Sequence, residues 1–157
     1  MILCANPSAQ FKSEQNEIEE AVLSVMRGNR YVLGEQVNSL EKEFADYIGT
    51  TSAIGVANGT DAIELALRSL DIGLGDEVIT VSHTAVATVA AIEASGAQAV
   101  LVDVDPLTYT LNPLQLIEAY SQKTKAVIVV HLYGHSADID AITIFCNSYK
   151  LFLIEDV

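Results

Sequence analysis

Positive charge is scarce in this sequence: 8 Lys and Arg stand against 21 Asp and Glu, a formal net charge of −13. That balance argues against nucleic acid, whose phosphates need a basic surface. It leaves room for a small anionic ligand, because backbone dipoles at a helix start can hold a phosphate in an acidic chain. Cysteine is nearly absent. Cys4 and Cys146 lie far apart with no metal-type spacing, which favours buried or incidental thiols over a disulfide. No apolar run reaches the roughly 18 residues of a membrane-spanning helix, and MILCANPSAQ lacks the basic flank and apolar core of a leader. A soluble cytoplasmic protein is the expectation. A P-loop, a catalytic triad and a CxxC pair are also missing. No G-x-G-x-x-G follows the first strand of the alternating region, which argues against an ordinary dinucleotide site.

What remains is strongly apolar. Of the 157 residues 50% are hydrophobic and 18% charged, which excludes disorder and suits one domain with a real core. Residues 1–50 read as a helical N-terminal segment. SEQNEIEEAVLSVMRG (13–28) spaces Ile18, Val22 and Val25 by four and three, and GEQVNSLEKEFADYIG (34–49) repeats the pattern with Val37, Leu40, Phe44 and Ile48. Residues 51–157 alternate. Apolar runs at 53–57, 77–81, 99–104, 126–130 and 151–156 are separated by helical stretches at 60–70, 84–94, 113–122 and 138–150. Val- and Ile-rich strands joined by helices mean an α/β fold with a mainly parallel sheet, here of at least five strands with helices on both faces.

In such sheets ligands collect beyond the carboxyl ends of the strands. Asn58-Gly59-Thr60-Asp61 opens a helix after the first run. It is either a phosphate cradle, with glycine allowing close approach, or a plain helix cap. Asp156 closes a buried strand, where an uncompensated carboxylate is costly. It reads either as the partner of a protonated ring nitrogen or as a solvated loop acid. His83 could meet a ligand ring or serve structure alone. His131 and His135 are four apart, but Gly134 between them breaks the helix that a metal pair would need. Asp103 and Asp105 read as a strand end and turn. Gly59, Ser82 and Asp156 are expected along one edge of the sheet.

The motifs in order carry more than each alone. The segments YVLGEQVNSLEKEFADYIGT, GVANGTDAIELALRSLDIGLGDEVITVSHTAVATVAAIEASGAQAVLVDVDPLTYTLNP, TKAVIVVHLYGHSADIDAI and LFLIEDV resemble the N-terminal part of the DegT/StrS-like sugar aminotransferases. The resemblance covers essentially the whole chain. It implies an incomplete large domain of the pyridoxal phosphate (PLP) aminotransferase fold type I. It also implies a homodimeric enzyme that moves an amino group, usually from glutamate, to a nucleotide-linked keto sugar. By the same resemblance Gly59, Thr60 and Asp61 form the phosphate turn, with the Thr60 and Asp61 N–H groups as favoured donors. Asp156 pairs with the pyridine nitrogen, and VSHTAVAT lies against the ring. Many members carry an aromatic residue where this sequence has Ala85, and His83 is the nearest alternative. Tyr31, in the NRYVLG loop, is implied as a substrate contact.

The family's Schiff-base lysine lies downstream of the strand-end aspartate. The five lysines here precede Asp156, and Lys125 and Lys150 stand at strand beginnings, at the opposite edge of the sheet. The sequence is therefore expected to be part of a longer enzyme and to be inactive alone. Two further readings stay open: a PLP- or PMP-dependent sugar dehydratase, in which histidine replaces the lysine, and a non-catalytic truncated product.

Overall fold

The computed structural model describes residues 4–157, which divide between Gly55 and Val56 into two compact units.

The first unit holds three helices: α1 (Pro7–Ser13), α2 (Gln15–Arg27) and α3 (Glu35–Ile48). The sequence reading omitted α1, although its start is marked. Asn6 caps it by accepting from the Ala9 N–H at 3.2 Å, and Pro7 takes the first helical position, where a missing N–H costs nothing. α3 ends on Gly49, whose φ of 81° lets its N–H return to the Ala45 carbonyl at 2.9 Å. The stripes read from the sequence are there, yet Val22, Leu40, Phe44 and Ile48 remain exposed and Ala45 is the one buried residue of α3.

The second unit is a four-stranded parallel sheet in the order β2-β1-β3-β4, with β1 at Glu77–Val81, β2 at Gln98–Val102, β3 at Thr124–Val130 and β4 at Phe152–Asp156. The expected fifth strand at 53–57 is absent. A strand exists through its neighbour's hydrogen bonds, and among the described residues none of these five pairs with the sheet. The Gly55 N–H instead donates to Glu41 Oε1 at 2.8 Å, and Ile54 is 80% exposed. The run also carries Gly and Ala, which suit strands poorly.

Alternation along each strand separates two cores. Val78, Ala126 and Ile128 face α4 (Gly59–Ser69) and α5 (Val86–Ser95), where they meet Ile63, Leu67 and Ile92. Ile79, Val127 and Val129 face the opposite layer, α6 (Leu116–Ala119) and α7 (Ile139–Tyr149), where they meet Leu116 and Ile142. The helix expected over 113–122 is shorter than read. A 3-10 turn at Pro113–Gln115 runs into the single turn of α6, which stops where Tyr120 turns extended. α5 starts at Val86 rather than at Thr84, because Ala85 is extended. Cys4 is exposed, whereas Cys146 sits in the α7 core, where burial pushes its thiol up to about 11.

Candidate active site

The connection from α4 to β1 is short, so the C-terminus of α4 lies near the start of β1 and α4 runs antiparallel to the strands. An 11-residue helix and a five-residue strand are each about 16 Å long. The start of α4 therefore stands at the carboxyl edge of the sheet. Ser82 follows β1 at that edge, its N–H bonded to the Val102 carbonyl at 2.8 Å, and Asp156 is the last residue of β4. Gly59, Ser82 and Asp156 share one edge.

The strand period decides which of the two terminal acids enters this region. Ile154 packs on the α4–α5 core and Leu153 on the α6–α7 core, so Asp156 faces α5 and Glu155 faces away from it. Asp156 Oδ2 accepts from the Thr88 hydroxyl on α5 at 2.8 Å. Thr88 Oγ1 lies 3.1 Å from Thr84 Oγ1. On the other face Glu155 meets His131 Nε2 at 3.0 Å, and His131 Nδ1 accepts from the Ala137 N–H at 3.1 Å. His131 thus pins the loop that leaves β3.

At the start of α4, Asn58 caps the helix by accepting from the Asp61 N–H at 2.9 Å, and its amide donates to Asp61 Oδ2 at 3.1 Å. Such a cap contributes about 1 kcal/mol. The Asp61 carboxylate is thereby drawn to Asn58, and one of the two favoured phosphate donors, the Asp61 N–H, is already engaged. Among the described residues the Gly59 and Thr60 N–H groups have no hydrogen-bond partner. A Cβ built on Gly59 would meet nothing within 4 Å, so the space before these donors is open.

His83, just after β1, reaches across the edge to the loop after β3. Its Nε2 lies 3.1 Å from the Tyr133 hydroxyl, with ring centroids 5.9 Å apart. Tyr133 has a φ of 58°, a left-handed conformation that side chains adopt rarely, inside a 3-10 turn at Leu132–Gly134. Ala85 is exposed and presents only a methyl group. Tyr31 belongs to the first unit, where its hydroxyl donates to the Met26 carbonyl at 3.1 Å. Asp105 turns on its own loop, accepting from the Leu107 and Thr108 N–H groups at 2.8 and 3.1 Å. Among the described residues no three His, Cys, Asp or Glu side chains form a metal cluster.

The sequence reading took in Thr84 and Thr88 with the ring-facing VSHTAVAT segment and Tyr133 with the loop after a strand, but gave none of the three a role of its own. The first two carried a signal: hydroxyls four apart at the head of an otherwise apolar helix. Tyr133 carried none, because its importance comes from a partner 50 residues away.

The match to known proteins follows these landmarks. The model of the DegT/DnrJ/EryC1/StrS aminotransferase family matches residues 12–157. The chain belongs to this family. It is 47% identical over 142 residues to the dTDP-3-amino-3,6-dideoxy-alpha-D-galactopyranose transaminase of Aneurinibacillus thermoaerophilus, covering 90% of this chain and 39% of the relative. It superimposes on S. venezuelae DesV in complex with a ketimine intermediate with a TM-score of 0.94 and 41% identity, over 96% of this chain and 41% of DesV. NtdA from Bacillus subtilis with bound cofactor PMP gives a TM-score of 0.89 and 34% identity, over 92% of this chain and 33% of that one. This member of the DegT/DnrJ/EryC1/StrS family thus spans about 40% of the length of the curated relatives it matches. Its sheet and flanking helices are the corresponding part of the PLP aminotransferase fold type I.

The residues fit the cofactor that the family implies. Free N–H groups at a helix start suit a phosphate, and a partly buried carboxylate held at one oxygen suits a protonated ring nitrogen.

Proposed function

We propose that the whole protein is a PLP-dependent aminotransferase acting on a nucleotide-linked keto sugar, with glutamate as amino donor. One observation carries this reading: Asp156 and the open start of α4 share the carboxyl edge of the sheet, with the acid fixed by Thr88. The Gly59 and Thr60 N–H groups hold the phosphate, joined by that of Asp61 if the Asn58 cap yields. Asp156 accepts the ring N–H. His83, tied to Tyr133, lies along the ring in the space that Ala85 leaves, and Tyr31 contacts the sugar substrate. When bound, the cofactor supplies the electron sink for amino transfer. Asp156, partly buried and held by Thr88, keeps the ring nitrogen protonated.

The lysine that anchors the cofactor lies outside this chain. In support, Lys123 and Lys125 are at the start of β3 and Lys150 precedes β4, whereas Lys12 and Lys42 lie on helices of the first unit. The 157-residue chain alone is then inactive. The test is an assay of the full-length protein with glutamate and a dTDP- or UDP-linked keto hexose. Formation of 2-oxoglutarate beyond one equivalent per site should require both the sugar and PLP, and continued turnover with glutamate in the absence of the sugar would sink the reading.

A homodimer and a cytoplasmic location belong to the same proposal. No helix among the described residues is long and apolar enough to cross a membrane. On α3, Leu40 and Phe44 with Ala53 and Ile54 line an apolar hollow of about 290 Å³, and Tyr47 beside it is 86% exposed. A second copy of the chain is the proposed occupant of this face. Sedimentation should show association at high concentration, and a clean monomer there would count against it.

A further inference from the structure

Asp156 is held from behind by two hydroxyls in series, and we infer that Thr88 is its positioning residue, aimed in turn by Thr84. The inference rests on the cofactor reading above. Thr88 is fully buried, yet its hydroxyl is not spent on a carbonyl of the preceding turn, the usual outlet for threonine in a helix. It reaches the neighbouring strand instead, 68 residues away in sequence.

The direction of the relay follows from valence. An ionised carboxylate only accepts, so Thr88 must donate to Asp156 Oδ2. Having spent its single proton there, Thr88 can only accept from Thr84. The contact at 3.1 Å is therefore Thr84 O–H donating to Thr88 Oγ1. Two aligned donors polarise one another toward the acid. Thr88 occupies Oδ2 and leaves Oδ1, with its lone pairs in the carboxylate plane, as the oxygen that meets a ring N–H. Without Thr88 the carboxylate would rotate about χ2 and present either oxygen at varied angles.

A purely structural role would also satisfy a buried hydroxyl, so the test must ask about the ring nitrogen. In the full-length protein, dissociation constants are measured by absorbance titration for pyridoxamine phosphate and for its analogue with carbon in place of the ring nitrogen. Thr88→Val should weaken pyridoxamine phosphate about tenfold and leave the carbon analogue within about twofold, with Thr88→Ser restoring the native ratio. Equal weakening of both ligands, or of neither, overturns the inference. If Thr88→Val does not fold, Thr84→Val carries the same comparison with a smaller loss, about threefold, confined to the nitrogen-containing ligand. Failure of the unsubstituted protein to bind either ligand would overturn the cofactor reading itself, and this inference with it. Equal binding of both ligands by the unsubstituted protein would show that Asp156 does not pair with the ring.

Discussion

Replacing Asp156 by Asn should lower the turnover of the full-length enzyme by about two to three orders of magnitude, with little change in thermal stability. The substitution keeps the shape of the side chain, and its amide oxygen can still accept from Thr88, so the packing behind it survives. What it removes is the negative charge. With its oxygen turned to Thr88, the amide would present an N–H to the ring nitrogen, a pairing that favours the neutral ring. The electron sink would then be weakened where the chemistry demands it most. Because the effect is on charge development, kcat should fall far more than KM rises. Steady-state kinetics with melting curves would decide. Turnover within threefold of the native value would remove Asp156 from the mechanism, and a large loss accompanied by unfolding would assign it to stability.

The second large effect is one of position. When the 157-residue chain is mixed with PLP and reduced with borohydride, Lys123, Lys125 and Lys150 should show no stoichiometric labelling. β4 runs from Phe152 to Asp156, parallel to β3, and Lys150 lies before its first residue. At about 3.3 Å per residue the distance from Lys150 to Asp156 is about 20 Å along the strand. An extended lysine side chain covers about 6 Å of that. Lys125, the second residue of β3, faces the same gap, and the Lys123 carbonyl accepts from the Glu77 N–H at 2.9 Å at the start of β1. All three cations therefore stand at the amino edge, whereas the α4 start and Asp156 are at the carboxyl edge. Peptide mapping of the reduced chain beside a full-length version is the measurement. One fully labelled lysine among the three would place the site at the wrong end of the sheet.

Much of this was legible in residue order. Near-continuous runs of Val and Ile and the helical stretches between them specify parallel strands with crossover helices, since that pattern buries both faces of a sheet. The carboxyl edge followed, and with it the positions of Ser82 and Asp156, because in a parallel sheet every strand delivers its C-terminus to the same side, whereas Gly59 reaches that edge through α4 and not through a strand of its own. The cap at Asn58 was likewise local, a side chain bonding to an N–H three residues on.

Tertiary structure decided the rest, wherever a residue's role depends on a distant partner. Residues 53–57 look like a strand by composition, but a strand is made by its neighbour, and these have none in the sheet. Glu155 and Asp156 are adjacent acids of equal promise in sequence. The packing of Ile154 on the α4–α5 core sends Asp156 toward α5, while Glu155 goes to His131 on the opposite face. Thr88, one hydroxyl among alanines and valines, becomes the group that fixes the acid only because α5 lays it beside β4. Hydrogen bonds and core contacts act over a few ångströms in space, so local pattern can announce an element and its edge but not which side chains meet across them.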